Sequence, residues 1–341
     1  MGASDEQPAF GPALHLVASY PTDGQGTNAA LDADVACDVP TPECPVPTDV
    51  VLQLRFDRFL LPGSGLAAGL RLFTGDRKTN GVSLRTEYDV IERVLVFRPS
   101  RPLEPHTLYT AEVVPSVGVS AGLRAFDRAP LATGPVPLRF SFSTGGGPSA
   151  PVATVAAVPE TCASISRGPL SRCAGCHSTR PGDETEPPSK YPPMGLDLAG
   201  PSGFFYTAIG HVAHQTETGN SAVGPGLESP ARFGVQMNLV DPGSPATSYL
   251  LYKLLQKPEN FQLDENGPGC LSSYHPPVVD GACTPPDAAE IGRMREWFVR
   301  GDPMPKDKPA LGGSLTPTSI GYAGLVRVAA WIASGASCAL P

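Results

Sequence analysis

Apolar and polar positions follow one rule up to about residue 146 and another rule after it. In the first stretch apolar residues alternate with polar ones over short runs. Val50-Val51-Leu52-Gln53-Leu54-Arg55-Phe56 is one such run. The alternation recurs in Arg93-Val94-Leu95-Val96-Phe97, in 108–114 and in Leu138-Arg139-Phe140-Ser141-Phe142, with shorter runs over 14–19 and 70–73. A period of two, bounded by turn residues, predicts half-buried strands, and this spacing is that of a sandwich. From Pro159 the period lengthens. Ile291, Met294, Trp297 and Phe298, then Leu325, Val328, Trp331 and Ile332, recur at helical spacing. They predict helices over 286–299 and 319–334, with two further helices over 202–214 and 245–255. Ser244 and Thr284 stand where N-caps would, and Gly301 and Gly335 follow the last two helices. Gly145-Gly146-Gly147-Pro148-Ser149-Ala150-Pro151 has the composition of a linker. The expected organisation is multidomain: an all-β sandwich over 8–146, a linker over 147–158, and a mostly α domain with long Pro/Gly-rich loops over 159–341.

Composition narrows the function classes. The 40 Pro and 37 Gly favour short elements and many turns. Only 17% of residues are charged and the formal net charge is −8. With no basic stripe, nucleic acid is not an expected partner. No apolar run approaches the length of a membrane span.

One pentapeptide carries chemistry. Cys173-Ala174-Gly175-Cys176-His177 spells C-x-x-C-H, the attachment pattern of a covalent c-type haem. Two thiols at this spacing can add to the two vinyl groups of one porphyrin. The adjacent imidazole then lies under the iron as proximal ligand. With 8 Cys and 6 His in 341 residues, chance matches number roughly three per thousand such chains. A zinc site would need a second Cys/His pair at knuckle spacing. A thioredoxin-like motif would need a surrounding βαβ pattern. The sequence offers neither. One haem c, held through Cys173, Cys176 and His177, is the expected cofactor.

Two resemblances follow from these residues. The first half resembles the bacterial Ig-like domains of secreted and surface-layer proteins. The resemblance rests on Tyr20-Pro21 with Gly24, Leu54-Arg55-Phe56, Phe97-Arg98-Pro99 with Leu103 and Tyr109, and the closing Phe140-Ser141-Phe142-Ser143-Thr144-Gly145. It implies a spacer or docking module. The second half resembles a monohaem cytochrome c domain of exported bacterial proteins. That resemblance rests on the C-x-x-C-H motif, Gly195-Leu196-Asp197-Leu198, Pro242-Gly243-Ser244-Pro245, Ser248-Tyr249-Leu250 and the closing Trp-containing helices. It implies three to five helices around a porphyrin. The chain departs from the pattern in a long stretch after the motif and in a closing helix that occurs twice. Arg293-x-x-x-Trp297-Phe298-x-x-Gly301 and Arg327-x-x-x-Trp331-Ile332-x-x-Gly335 share one spacing.

Each copy is preceded by a candidate distal ligand beside proline: His275-Pro276-Pro277 before the first, Met304-Pro305 before the second. Related domains place a Met-Pro just before the closing helix, which favours Met304. A thioether there raises the reduction potential. His275 and Met237 remain alternatives. Met194 and Met294 read as packing residues. His211 and His214, three apart, lack matching carboxylate or thiol neighbours and read as surface or haem-edge groups rather than a metal pair. Arg180, Lys190 and Tyr191 follow the motif closely and are candidates for propionate contacts.

Six cysteines remain beyond the motif. Fifteen pairings are open. Proximity suggests Cys37–Cys44 and Cys270–Cys283, which leaves Cys162–Cys338 bracketing the second domain. Disulfides and covalent haem both belong outside the cytoplasm. Met1-Gly2-Ala3-Ser4-Asp5-Glu6 is no export leader, so the native precursor is expected to carry one, a lipoprotein signal being one option. The expected function is an exported, periplasmic or cell-surface electron carrier that exchanges single electrons with other redox proteins. An acidic surface suits a basic partner. The competing expectations are a peroxidase-like haem enzyme with an open distal position and an adhesion or scaffold protein with a redox-sensing haem.

Overall fold

The computed structural model describes residues 10–27, 43–75, 78, 80–116, 121–149, 159–175, 177, 195–213, 237–262, 285–297, 299, 303–305, 308–309, 315–316 and 319–338. The described residues fall into two compact units, one within Phe10–Ala156 and one within Ala157–Pro276 and Cys283–Pro341.

The N-terminal unit is all-β. Its strands are β1 (Leu14–Tyr20), β2 (Leu52–Phe56), β3 (Leu70–Thr74), β4 (Leu84–Asp89), β5 (Val94–Pro99), β6 (Leu108–Val113), β7 (Leu131–Ala132) and β8 (Arg139–Ser143). They form a five-stranded sheet in the order β4-β5-β2-β1-β7 and a three-stranded sheet in the order β3-β6-β8. All pairs are antiparallel except β1 with β7. Alternation drives this arrangement. Leu52, Leu54, Phe56, Leu95 and Phe97 from one sheet and Leu72, Ala111, Phe140 and Phe142 from the other are all buried.

Strand β2 departs from simple alternation because all five of its residues are buried. Arg55 approaches Glu92 at 4.0 Å. Nearby, Arg58 donates to the Asp127 carboxylate at 2.6 Å and lies over the Phe126 ring. These buried charges are paired, which offsets their desolvation. Strand β4 escapes the sequence pattern because it is an edge strand with exposed Arg85 and Glu87. Within the stretch read as a linker, Gly147 accepts from the Thr48 amide and Ser149 bonds the Asp49 carboxylate.

The C-terminal unit corrects the expected fold class. Among the described residues it is not a mostly α domain of the cytochrome c type, and the described chain is mostly β with short helices. Five α-helices are described: α1 (Cys162–Arg167), α2 (Pro201–Thr207), α3 (Tyr249–Leu255), α4 (Ala288–Trp297) and α5 (Gly321–Ala333). They run from six to thirteen residues. A two-stranded ribbon of β9 (Lys308–Pro309) and β10 (Leu315–Thr316) joins them. The bridges Ile209↔Val240, Val212↔Asn238 and Asn238↔Ser248 add further β pairing.

The physical reason lies in how the helices stop. The run expected over 202–214 ends at Thr207, because Ile209 and Val212 pair with the 238–240 segment instead. The run expected over 245–255 opens as a 3-10 turn, Pro245–Thr247. Ser248 is extended, and α3 begins only at Tyr249. Ser244 stands at the expected cap position but makes no side-chain cap bond. In α4 the Glu290 amide donates to Asp287 Oδ1 at 2.6 Å, so Asp287 caps the helix. Thr284, expected in that role, lies outside the described residues. Helix α5 matches its apolar stripe, with Tyr322, Leu325, Val328, Trp331 and Ile332 buried.

Candidate functional site

The candidate site grows from α1. Thr161 caps this helix through a reciprocal capping box with Ser164. The Cys162 amide donates to Ser337 O at 2.9 Å, and Cys162 is disulfide-bonded to Cys338. The start of α1 is therefore tied just beyond the carboxyl end of α5. Its exit lies elsewhere along α5: a Cβ added at Gly324 would meet Pro169 at 3.3 Å. Between these points Glu160 holds Arg327 of α5 through two charge-assisted hydrogen bonds, 2.5 and 3.1 Å. The Arg327 guanidinium holds the Glu160 carboxyl below the usual carboxylate range. Helix α1 thus starts beside the segment that follows α5, Pro169 after it lies beside Gly324, and the chain runs on from there into the next residues.

Those residues are the C-x-x-C-H motif. Cys173–Gly175 forms a 3-10 turn, and the His177 amide donates to Cys173 O at 2.8 Å. That bond closes a helical turn, so Cys173 and His177 share one face. Both are half-buried. Cys176 lies outside the described residues. The Leu198 amide donates to His177 O at 2.8 Å, which seats the 195–198 loop against the motif. Asp197 anchors that loop: its amide donates to Thr207 Oγ1 of α2, and its Oδ1 accepts from the Ala199 amide. Helix α2 in turn sets Phe204 edge-on to Trp331 of α5, with ring centroids 5.5 Å apart.

The distal candidates are distributed unevenly. Met304 is half-buried. Its amide donates to Lys253 O at 3.4 Å, and its carbonyl accepts from Asn260 Nδ2 at 3.1 Å. Asn260 Oδ1 also accepts the Ile320 amide at the start of α5. The Met304 backbone is therefore tied to the start of α5. Met237 is buried at 2% exposure and its carbonyl accepts the Ala213 amide. The strand-like segment it opens reaches the other end of α5, where the Gly243 amide donates to Ile332 O. His275, His214, Met194, Arg180, Lys190, Tyr191, Cys37, Cys270 and Cys283 lie outside the described residues. His211 is exposed and follows the end of α2 rather than lying on a helix. Met294 is fully buried in α4, as a packing residue is.

The donor set suits haem c. The motif supplies two thiols and an imidazole at the required spacing, and its described portion is wound as a helical turn at half-buried positions. Among the described residues no group of three or more His, Cys, Asp or Glu could hold a bare metal ion. A haem iron needs only axial ligands from the protein. Among the described residues no helix is long and apolar enough to cross a membrane.

Sequence reasoning missed three groups that organise this site: Asn260, Lys257 and the Glu160–Arg327 pair. Asn260 is fully buried and Lys257 is 4% exposed. Both lie in a short Pro258-centred turn, where polarity reads as loop. Nothing in the local sequence signals their burial.

No family model matches the chain, and no curated protein does. Several solved structures share a limited likeness. The N-terminal part of the bacterial S-layer protein SbsC matches at 8% identity and a TM-score of 0.24, covering 39% of this chain and 24% of that one. A longer structure of the same S-layer protein gives 9% and 0.26, covering 44% and 16%. The copper resistance protein PcoC from Escherichia coli gives 16% and 0.22, covering 38% of this chain and 97% of that one. The chain thus spans a quarter or less of the length of the S-layer structures that it matches. Likenesses at these scores carry no argument about function.

Proposed function

We propose that this protein is an exported carrier of one covalently bound haem c that passes single electrons between redox proteins, with its N-terminal all-β unit as spacer or docking module. The observation that carries the reading is the C-x-x-C-H motif, whose Cys173 and His177 lie four apart on one helical turn closed by the His177 N–H···O bond to Cys173. Attachment chemistry depends on that local geometry, so the reading does not require a mostly α cytochrome fold around it. When bound, the haem would supply the one-electron couple. Cys173 and Cys176 would tether it, His177 would ligate one side, and Met304 is the favoured residue for the other. The 195–198 loop would fix the backbone on which His177 sits. Export is supported by the Cys162–Cys338 disulfide, since such bonds persist in oxidising compartments.

The test is maturation. The full chain is produced in a bacterial periplasm with a haem-attachment system, then run on a denaturing gel and stained for haem peroxidase activity. The expected band is haem-positive in the parent protein and absent when Cys173 and Cys176 are both replaced by Ser. A His177→Ala protein that still retains haem is expected to lose the low-spin spectrum. A fully exported parent protein with no stain overturns the proposal.

A further inference from the structure

The segment carrying Met304 is held by two buried polar side chains that no motif announces. Asn260 is fully buried. Its Nδ2 donates to Leu254 O at 2.8 Å and to Met304 O at 3.1 Å. Its Oδ1 accepts the Ile320 amide at 3.0 Å and lies 3.2 Å from Ser319 Oγ. One amide side chain thus joins the end of α3, the Met304 loop and the start of α5. Lys257, 4% exposed, donates its ammonium to Pro305 O at 2.8 Å. The Met304 amide completes the attachment at Lys253 O.

Burying an ammonium and an amide is costly unless each is hydrogen-bonded. Here one hydrogen bond from each reaches one of two consecutive carbonyls, Met304 O and Pro305 O. A surface loop needs no such fixing. A short segment that must present one side chain at a set position does.

We infer that Asn260 and Lys257 are positioning residues that hold Met304 as the distal arm of the haem site. This rests on the haem reading above. Neither residue touches the iron: they act on the backbone that bears the thioether. The same Asn260 side chain ties that backbone to the start of α5.

The experiment uses the matured full-length protein and three variants: Met304→Leu, Lys257→Met and Asn260→Ala. Lys257→Met keeps an unbranched side chain, with sulfur in place of one methylene, and removes the ammonium. Ferric absorption, reduction potential and residue-resolved hydrogen exchange of the Met304 amide, the one N–H of Pro303-Met304-Pro305, are measured. Met304→Leu is expected to abolish the weak far-red band of sulfur-ligated ferric haem and to lower the potential. Lys257→Met and Asn260→Ala are expected to lose part of that band and to lower the potential in the same direction. Exchange of the Met304 amide should rise roughly three- to tenfold, with or without haem, as the segment loses one of the hydrogen bonds that hold it.

A merely structural role would lower the denaturation midpoint and leave band and potential unchanged. That result in folded Lys257→Met and Asn260→Ala overturns the inference. If Asn260→Ala does not fold, Lys257→Met alone decides. A far-red band that survives Met304→Leu overturns the inference while leaving the haem reading intact. Absence of covalent haem in the parent protein overturns both.

Discussion

Trp331 shows how much one side chain can decide. It is fully buried, meets Phe204 edge-on, and its Nε1 donates to Ser337 O at 3.3 Å. Trp331→Ala removes a large apolar volume and leaves a cavity between α2 and α5, at a cost of about 3–5 kcal/mol. Both tryptophans of the chain, Trp297 and Trp331, belong to the C-terminal unit. Tryptophan fluorescence in urea therefore reads that unit alone, and its midpoint should fall sharply. Glu160 makes a smaller, pH-dependent contribution. Its hydrogen bonds to Arg327, opposed by partial burial, lower its pKa in the folded protein. A depressed carboxyl stabilises above its unfolded pKa and loses that contribution as pH falls through the folded one. The Arg327 side chain is 43% exposed, so screening limits the effect to about 0.5–1 kcal/mol. Glu160→Gln is expected to lower the urea midpoint at pH 7 and to match the parent once the parent's carboxyl is protonated. Of these two residues, Trp331 was legible as core from its helical spacing. The Glu160–Arg327 pair was not, because its partners lie 167 positions apart.

Among the elements, α5 is the organiser. Helix α1 is tied to it by the Cys162–Cys338 disulfide, by Cys162 N–H to Ser337 O and by the Glu160–Arg327 pair. Helix α2 meets it through Phe204, and the turn after α3 meets its start through Asn260. The disulfide spans 176 residues of sequence. A loop of that length restricts the unfolded chain strongly, for a stabilisation of roughly 2–5 kcal/mol. The double variant Cys162→Ser with Cys338→Ser should lower the tryptophan-detected urea midpoint accordingly, with the haem attachment proposed at Cys173 and Cys176 unaffected. The pairing was inferred by setting aside closer cysteines, and the structure contains it. Cys44 is also disulfide-bonded. Helix α1 itself has no sequence signature beyond its Thr161-x-x-Ser164 cap, because six residues are too few to show a period.

Across the two units, local pattern and tertiary pairing contributed in different proportions. The strand runs of the N-terminal unit were readable because alternation with a buried face is a local property of each strand. Six of its strands follow runs expected from alternation, whereas β4 and β7 do not: the first is a half-polar edge and the second has two residues. The C-x-x-C-H motif is local in the same way, since the attachment chemistry proposed for it lives in five consecutive residues. The fold class of the C-terminal unit was not. Helical spacing over 202–214 and 245–255 was overridden where Ile209, Val212 and Ser248 pair with 238–240. Such bridges depend on a distant segment being present, and no window of neighbouring residues contains that information. Likewise Asn260 and Lys257 are ordinary polar loop residues until α3, α5 and the Met304 segment close around them. Order along the chain set the strands, the closing helix and the C-x-x-C-H spacing, whereas contacts between remote segments set where helices stop, which charges are buried and what holds Met304.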